Sequence, residues 1–399
     1  MRRVTIGDVA DVVSGGTPSR GNPKFWGGSV PWVRTGAINY GLITQPDEWI
    51  TEEGLAQSSA RVIPKGTILM ALIGQGKTRG QVAILGIDAA INQNAAALLL
   101  RGGCNRDYVY QQLVFRYTSI RNTSNASGQG NLNADLVRSI SFPLPSEPKQ
   151  EQIALSLACW DGAAEQLESV IRAMSQRKRG LMQCLLTGQT RFKEFKGERW
   201  RTYRMRELVK EVDRYVEFDD EVTYRLASIR RRSEGLFFRE ALQGKDIKTK
   251  VMKMLRAGDF LLSKMQVVHG AWGLVTPEFD GMFVSDSYIG LVPREGSALK
   301  VEFLNYLSRM RFMRHLAYIS SHGVHIEKMT FNLDDFLHEK ITIPPTVREQ
   351  AKIVGVLSAC DREIELLQKQ LAALKEQKRG LMQKLLTGEV RVKAESRAG

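Results

Sequence analysis

Two stretches of the chain carry the same apolar rhythm. From Gln150 onward, Ile153, Leu157, Trp160, Ala164, Leu167, Ile171, Met174, Leu181 and Leu185 recur at alternating spacings of four and three, broken only at Lys178. The register returns in Ile353, Leu357, Cys360, Ile364, Leu367, Leu371, Leu374, Leu381 and Leu385, broken at Lys378. About four to five heptads with apolar seam positions predict a coiled coil. Each stripe needs a partner, and the economical one is the other stripe. Because each helix leaves a similar domain, the pair is expected to run antiparallel, as a rod of roughly 50 Å at 1.5 Å per residue. Gly188 and Gly388 follow the last periodic leucines and suit helix C-caps.

Both helices end in nearly the same words, KRGLMQCLLTG at 178–188 and KRGLMQKLLTG at 378–388. A period of 200 residues is a duplicated domain with its connector, since solenoid repeats run only ~20 to 50 residues. The match extends back through Gln150, Asp161 and Glu165, which recur as Gln350, Asp361 and Glu365. It fades before about residue 145, so the parts that repeat poorly are two heads.

In the heads the pattern turns to short β-like runs with Gly and Asn between them. Thr67 to Ile73 and Gln81 to Leu85 read as strands joined by the polar loop GQGKTRG, residues 74–80. Tyr108 to Tyr117 reads as the main helix, and SNASGQGNLN, residues 124–133, as a polar surface loop. Phe142 to Pro145 closes the first head. The second head repeats the plan with little identity: Tyr203–Val212 echoes Val4–Val13, AGDFLLSKM from Ala257 echoes KGTILMALI from Lys65, and Gln266–Gly273 occupies the place of GQGKTRG. The expected fold class is α+β: two mixed α/β domains separated by two long helices in an antiparallel coiled coil, with pseudo-twofold symmetry. The expected boundaries are 1–148, 149–195, 196–346 and 347–399.

Composition narrows the partner. The 399 residues are 43% hydrophobic and 25% charged, as in ordinary globular proteins. No window reaches the ~18 apolar residues of a membrane span, and nothing near the N-terminus has the apolar run of a signal peptide, so an intracellular, cytoplasmic protein is expected. The four cysteines form no CxxC pair, which argues for reduced thiols and against zinc. A net charge of +14 favours a polyanionic partner. Each head carries about +4 to +5 of it, so no single basic tail is responsible.

Catalytic signatures fail on inspection. Residues 71–78, ALIGQGKT, mimic a P-loop, but Ala71 stands where the first glycine belongs and no helical pattern comes after it. His322 and His325 in SHGVHIE lack a third metal ligand nearby in sequence, and a loop facing DNA or solvent is the better reading. There is no NPPY-like or DPPY-like methyltransferase motif and no nuclease carboxylate cluster. No catalytic residue and no metal site is therefore expected.

What the loops do offer is the side-chain set that reads bases, Arg or Lys for guanine and Asn or Gln for adenine. The candidates are Lys77, Arg79, Gln81, Asn125, Gln129 and Asn131 in the first head. In the second they are Arg230, Arg231, Arg232, Lys264, Gln266, His269 and His322. Many such residues contact only phosphate, and Arg230–Arg232 reads as a phosphate clamp. Lys178 and Lys378 are expected either to snorkel where the helix pair opens or to dock a partner or this chain's own heads.

The whole arrangement resembles the specificity subunits of type I restriction-modification systems. The resemblance rests on the two KRGLMQxLLTG repeats, the PxPxxxxQxxI-like segments before the helices, and SGGTPSR with FWGG at 14–28. It implies target-recognition domains that each read half of a bipartite site in double-stranded DNA, and a coiled coil that sets the spacing. It further implies two modification subunits performing adenine N6 methylation with S-adenosylmethionine, and restriction subunits using ATP and Mg, with no cofactor in this chain. Two reading heads about one helical turn apart fit such a site. Rival readings are an interaction protein whose coiled coil joins two binding domains, and an enzyme using the GQGKT loop on nucleotides.

Overall fold

The computed structural model describes residues 2–74, 76–123 and 130–390. The chain divides into two units, residues 1–169 with 368–399, and residues 170–367. Each unit therefore contains one head, the start of the helix that leaves it, and the end of the other long helix. The long helices run Glu147–Leu186 and Val347–Thr387, 40 and 41 residues. We call them the first and second arm. They start a few residues earlier than the apolar register alone suggested.

In the first unit the head is built on two sheets and a two-stranded ribbon. One sheet has the order Ala10–Ser14, Ala95–Leu100, Ile68–Ala71, Val82–Leu85, Leu42–Ile43. The other runs Glu48–Ile50, Trp26–Val33, Ala89–Ile91, Val62–Ile63. The central strands read as unbroken apolar runs because both their faces are buried. Ile68, Met70, Ala96 and Leu98 point to a core shared with the helix Arg106–Phe115, while Leu69, Ala71, Ala95 and Ala97 face the second sheet. That alternation is the period-two signature of a strand with no wet side. The ribbon pairs Arg2–Thr5 with Ser141–Leu144 at the two ends of the head.

The second unit repeats the scheme. Val209–Val212, Tyr288–Pro293, Phe260–Ser263 and Trp272–Leu274 form one sheet; Leu236–Gln243, Thr223–Ile229, Phe283–Ser285 and Met252–Met254 form another. Phe260 and Leu262 face the helical side and Leu261 the opposite one. The echo between Val4–Val13 and Tyr203–Val212 is structural: strand, one helical turn and strand occupy Arg2–Ser14 and Arg201–Val212. Each turn opens with the same bond, from the Thr5 N–H to Asp8 at 2.7 Å and from the Arg204 N–H to Glu207 at 2.5 Å.

Within each unit the arms pair antiparallel. In the first, Lys378 meets Asp161 and Lys375 meets Glu168. In the second, Lys178 meets Asp361. Seam positions between the ends, from Trp160 to Met174 and from Ile364 to Leu374, are only half-buried, as expected for two helices alone. The ends are buried because they finish the heads. Ile153, Leu157, Leu385 and Leu386 belong to the first head's core, and Leu185, Leu186, Ile353 and Leu357 to the second's. Gly188 and Gly388 take φ of 73° and 82°, and the N–H groups of Thr190 and Val390 reach back six residues to the carbonyls of Cys184 and Lys384. Both arms thus end in the same left-handed cap.

Candidate nucleic-acid interface

Three loops of the second head converge. One joins Thr223–Ile229 to Leu236–Gln243, one joins Phe260–Ser263 to Trp272–Leu274, and the third lies between the short paired strands Ser321–His322 and Thr330–Phe331. Backbone bonds set the first against the second: the Arg232 N–H donates to the His269 carbonyl at 2.7 Å and the Ser233 N–H to that of Gly270 at 2.8 Å. Arg232 and Ser233 adopt φ of 62° and 57°, a conformation that branched or bulky side chains disfavour. The third loop is tied in by the Phe331 N–H donating to the Lys264 carbonyl at 3.0 Å.

Side chains complete the cluster. Arg231 Nε donates to Gln266 Oε1 at 2.9 Å, and Arg231 also donates to Glu327 at 3.3 Å. The other Glu327 oxygen lies 3.3 Å from His269 Nε2. The Arg230 guanidinium sits 4.8 Å from the Phe237 ring centre. Of the sequence candidates, Arg230, Arg231, Arg232, Gln266 and His269 are therefore brought together. Lys264 lies at the base of the second loop. His322 is set apart, with its Nε2 2.6 Å from Asp335. Glu327 was not among the candidates, because a search for basic and amide readers passes over an acid.

The first head offers a comparable meeting of loops with different residues. Lys77 and Arg79 sit on the loop between Ile68–Ala71 and Val82–Leu85, and this loop leads into a strand where a P-loop requires a helix. The Lys77 carbonyl accepts from the Tyr117 hydroxyl at 2.5 Å, and Arg79 donates to the Arg121 carbonyl at 2.9 Å. Asn131 enters beside them, where the Leu132 N–H donates to the Leu72 carbonyl at 2.9 Å. Lys77 and Asn131 are exposed and Arg79 half-buried. Gln81 is 8% exposed and donates to Asn39 at 3.1 Å, so it holds the loop's base. Asn125 and Gln129 lie outside the described residues.

The repeated polar residues of the arms position each head. Gln150 Oε1 accepts from the Asn105 N–H at 2.8 Å, and its amide donates to the Pro145 carbonyl at 2.9 Å. Gln350 repeats this, accepting from the Lys300 N–H at 2.8 Å and donating to the Pro344 carbonyl at 3.0 Å. Further along, Lys378 donates to Asp161 at 2.5 Å, and Gln111 of the head's main helix donates to the other Asp161 oxygen at 2.8 Å. In the second unit Lys178 pairs with Asp361, which accepts from the Tyr306 hydroxyl at 2.7 Å. Burial, reinforced by the Asp361 carboxylate, pushes the Tyr306 phenol well above its ordinary range and keeps it a donor. Burial likewise pushes Tyr110 up to about 12, and its hydroxyl accepts from the Gly41 N–H at 2.8 Å. Both seam lysines thus pair with an aspartate of the opposite arm, and it is Asp161 and Asp361 that carry the bonds to the heads.

Among the described residues no three His, Cys, Asp or Glu side chains gather as a metal site. Nor, among them, is any helix long and apolar enough to cross a membrane.

Comparisons with known proteins converge on one family. The model of the type I restriction modification DNA specificity domain matches residues 1–169 and 217–376. The type I restriction enzyme MjaIX specificity subunit of Methanocaldococcus jannaschii is 28% identical over 165 residues, 40% of this chain. The chain spans only 38% of that relative's length. The MjaVIII specificity subunit of the same organism aligns over 98% of this chain and 93% of its own length, at 21% identity. In fold, the crystal structure of the type I restriction-modification S subunit from M. genitalium matches with a TM-score of 0.57 over 96% of both chains, at 13% identity.

Proposed function

The chain belongs to the type I restriction-modification DNA specificity family, and we propose that each of its heads reads one half of an asymmetric, two-part site in double-stranded DNA. The observation that carries this reading is the pair of loop clusters, raised on related scaffolds yet lined by unlike residues: Lys77, Arg79 and Asn131 in one, Arg230, Arg231, Arg232, Gln266 and His269 in the other. Guanidinium, ammonium and amide groups on neighbouring loops are the donors and acceptors that base edges and phosphates require. A charge of +14 supplies the long-range attraction.

The arms, in this reading, set the gap between half-sites and dock two adenine-methylating subunits, with restriction subunits joining them. S-adenosylmethionine, ATP and Mg belong to those partners, and this chain contributes recognition without chemistry. The corresponding boundaries are a first recognition domain over 1–148, helical regions over 149–195 and 347–399, and a second recognition domain over 196–346.

The test is to assemble the chain with its modification subunits and sequence the methylated positions left on a randomised DNA library. One asymmetric site with two specified parts and an unspecified gap is expected. Methylation without a two-part consensus would overturn the reading. An interaction protein that only tethers two binding domains would leave the genomic methylation pattern unchanged when its gene is removed.

A further inference from the structure

Glu327 stands out in the second head's loop cluster because its charge is wrong for a surface that meets DNA. It is exposed, and its contacts with Arg231 and His269 are both 3.3 Å long. Exposed pairs of this kind contribute little to folding. The loops are held instead by backbone bonds, from Phe331 to Lys264, from Arg232 to His269 and from Asn332 to Ser320. Yet the carboxylate is pinned between two loops, with one oxygen toward the Arg231 guanidinium and the other toward the His269 ring, and His269 Nε2 is buried without a hydrogen-bond partner among the described residues. A site with an exposed acid beside a guanidinium and a buried ring nitrogen left open is incomplete by itself.

We propose that Glu327 is a specificity-determining residue that accepts a hydrogen bond from an exocyclic amino group on a major-groove base edge, cytosine N4 or adenine N6. The inference rests on the DNA-reading function above. A carboxylate repels phosphate and the acceptor-bearing edges, guanine N7 and O6 and thymine O4, and is matched only by a donor. Within the same cluster, Arg231 Nε already holds Gln266 Oε1, which leaves the Gln266 amide N–H groups as the donors this side chain can offer an adjacent acceptor. Donors and an acceptor side by side can read two neighbouring base pairs, and the acid forbids tight binding where the amino group is missing. Glu327 therefore lowers affinity for non-specific DNA while raising discrimination.

Assembled with its modification subunits, the complex would be compared as wild type, Glu327→Ala and Glu327→Gln. Binding would be measured to duplexes varied at each position of the recognised site and over a range of salt. In Glu327→Ala, preference at one base pair of the second head's half-site should fall about 5- to 100-fold, the usual range for one mismatched pair. Non-specific binding should tighten, and the slope of log K against log salt should steepen by about 0.9, one extra phosphate neutralised. Glu327→Gln, with both donor and acceptor, should shift that position toward adenine. Deleting only the amino group, with 2-pyrimidinone for cytosine or unsubstituted purine for adenine, should weaken wild-type binding more than that of Glu327→Ala, which identifies the base. Unchanged preference at every position overturns the inference, even if all sequences bind more tightly. So does a change confined to the first head's half-site. A wild-type complex with no two-part site overturns this inference and the proposed function together.

Discussion

Asp161 and Lys378 form a pair whose two halves should not be equally dispensable. The Lys378 side chain is 14% exposed and reaches Asp161 at 2.5 Å, with Gln111 Oε1 a distant second contact at 3.4 Å. Asp161 is 42% exposed and also accepts from Gln111 at 2.8 Å. Replacing Asp161 by Ala strands an ammonium largely away from water and deprives the buried Gln111 amide of its acceptor. The expected cost is about 3 kcal/mol, the lower end for breaking a buried pair because this one is partly open. Replacing Lys378 by Met leaves a carboxylate still bonded to Gln111 and reached by solvent, at a cost of about 1 kcal/mol. The double variant should then lose only about 2 kcal/mol, a coupling of similar size. Because a chain of two units need not unfold in one step, amide hydrogen exchange in the helix Arg106–Phe115 reads the local effect more cleanly than a single denaturation midpoint. Equal losses from the two single variants, adding in the double, would mean that neither burial nor the Gln111 bond distinguishes the two partners.

Three further outcomes rest on the same geometry. Leu386 is fully buried in the first head's core and its carbonyl accepts from Gln112 at 3.0 Å, so Leu386→Ala should destabilise the first unit by about 2–5 kcal/mol, measured by urea denaturation with exchange at residues 106–115. Inserting four residues between Glu165 and Arg172 and four between Glu365 and Gln370 lengthens each arm by about 6 Å; the gap in the methylated site should widen by about two base pairs, and an unchanged gap would mean the arms do not set it. The raised phenol of Tyr306 stays protonated in the folded unit where a free phenol, ordinarily near 10, ionises. The unfolded chain loses that proton first, so stability from this group is fully present below about pH 10 and lost above it. Stability of Tyr306→Phe measured from pH 8 to 11 should fall less steeply than that of wild type.

Much of this architecture could be read from the residues, and for a physical reason. The arms and the echoed strands are set by local periodicity, and the repeat at 200 residues located the caps, Gln150 with Gln350, and the paired lysines. Other features depend on contacts distant in sequence. That Leu385 and Leu386 finish the first head's core, and Leu185 and Leu186 the second's, depends on which helix end returns to which head. Gln81 had the right chemistry for adenine but lies turned inward to Asn39, because it sits at the loop's base next to the buried strand Val82–Leu85. The gathering of Arg231 with Gln266 and His269 needs two loops folded on one another, and a third loop to bring Glu327 to them. Glu327 escaped because its sign is opposite to that of its neighbours, and only their positions make it informative.

Whether the two heads read separate half-sites can be decided by exchanging residues 1–145 for the corresponding head of a relative with a known target and sequencing the methylated bases. One half-site should change to the donor's while the other half and the gap persist. An unchanged target, or the loss of both halves together, would rule out independent reading by the two heads.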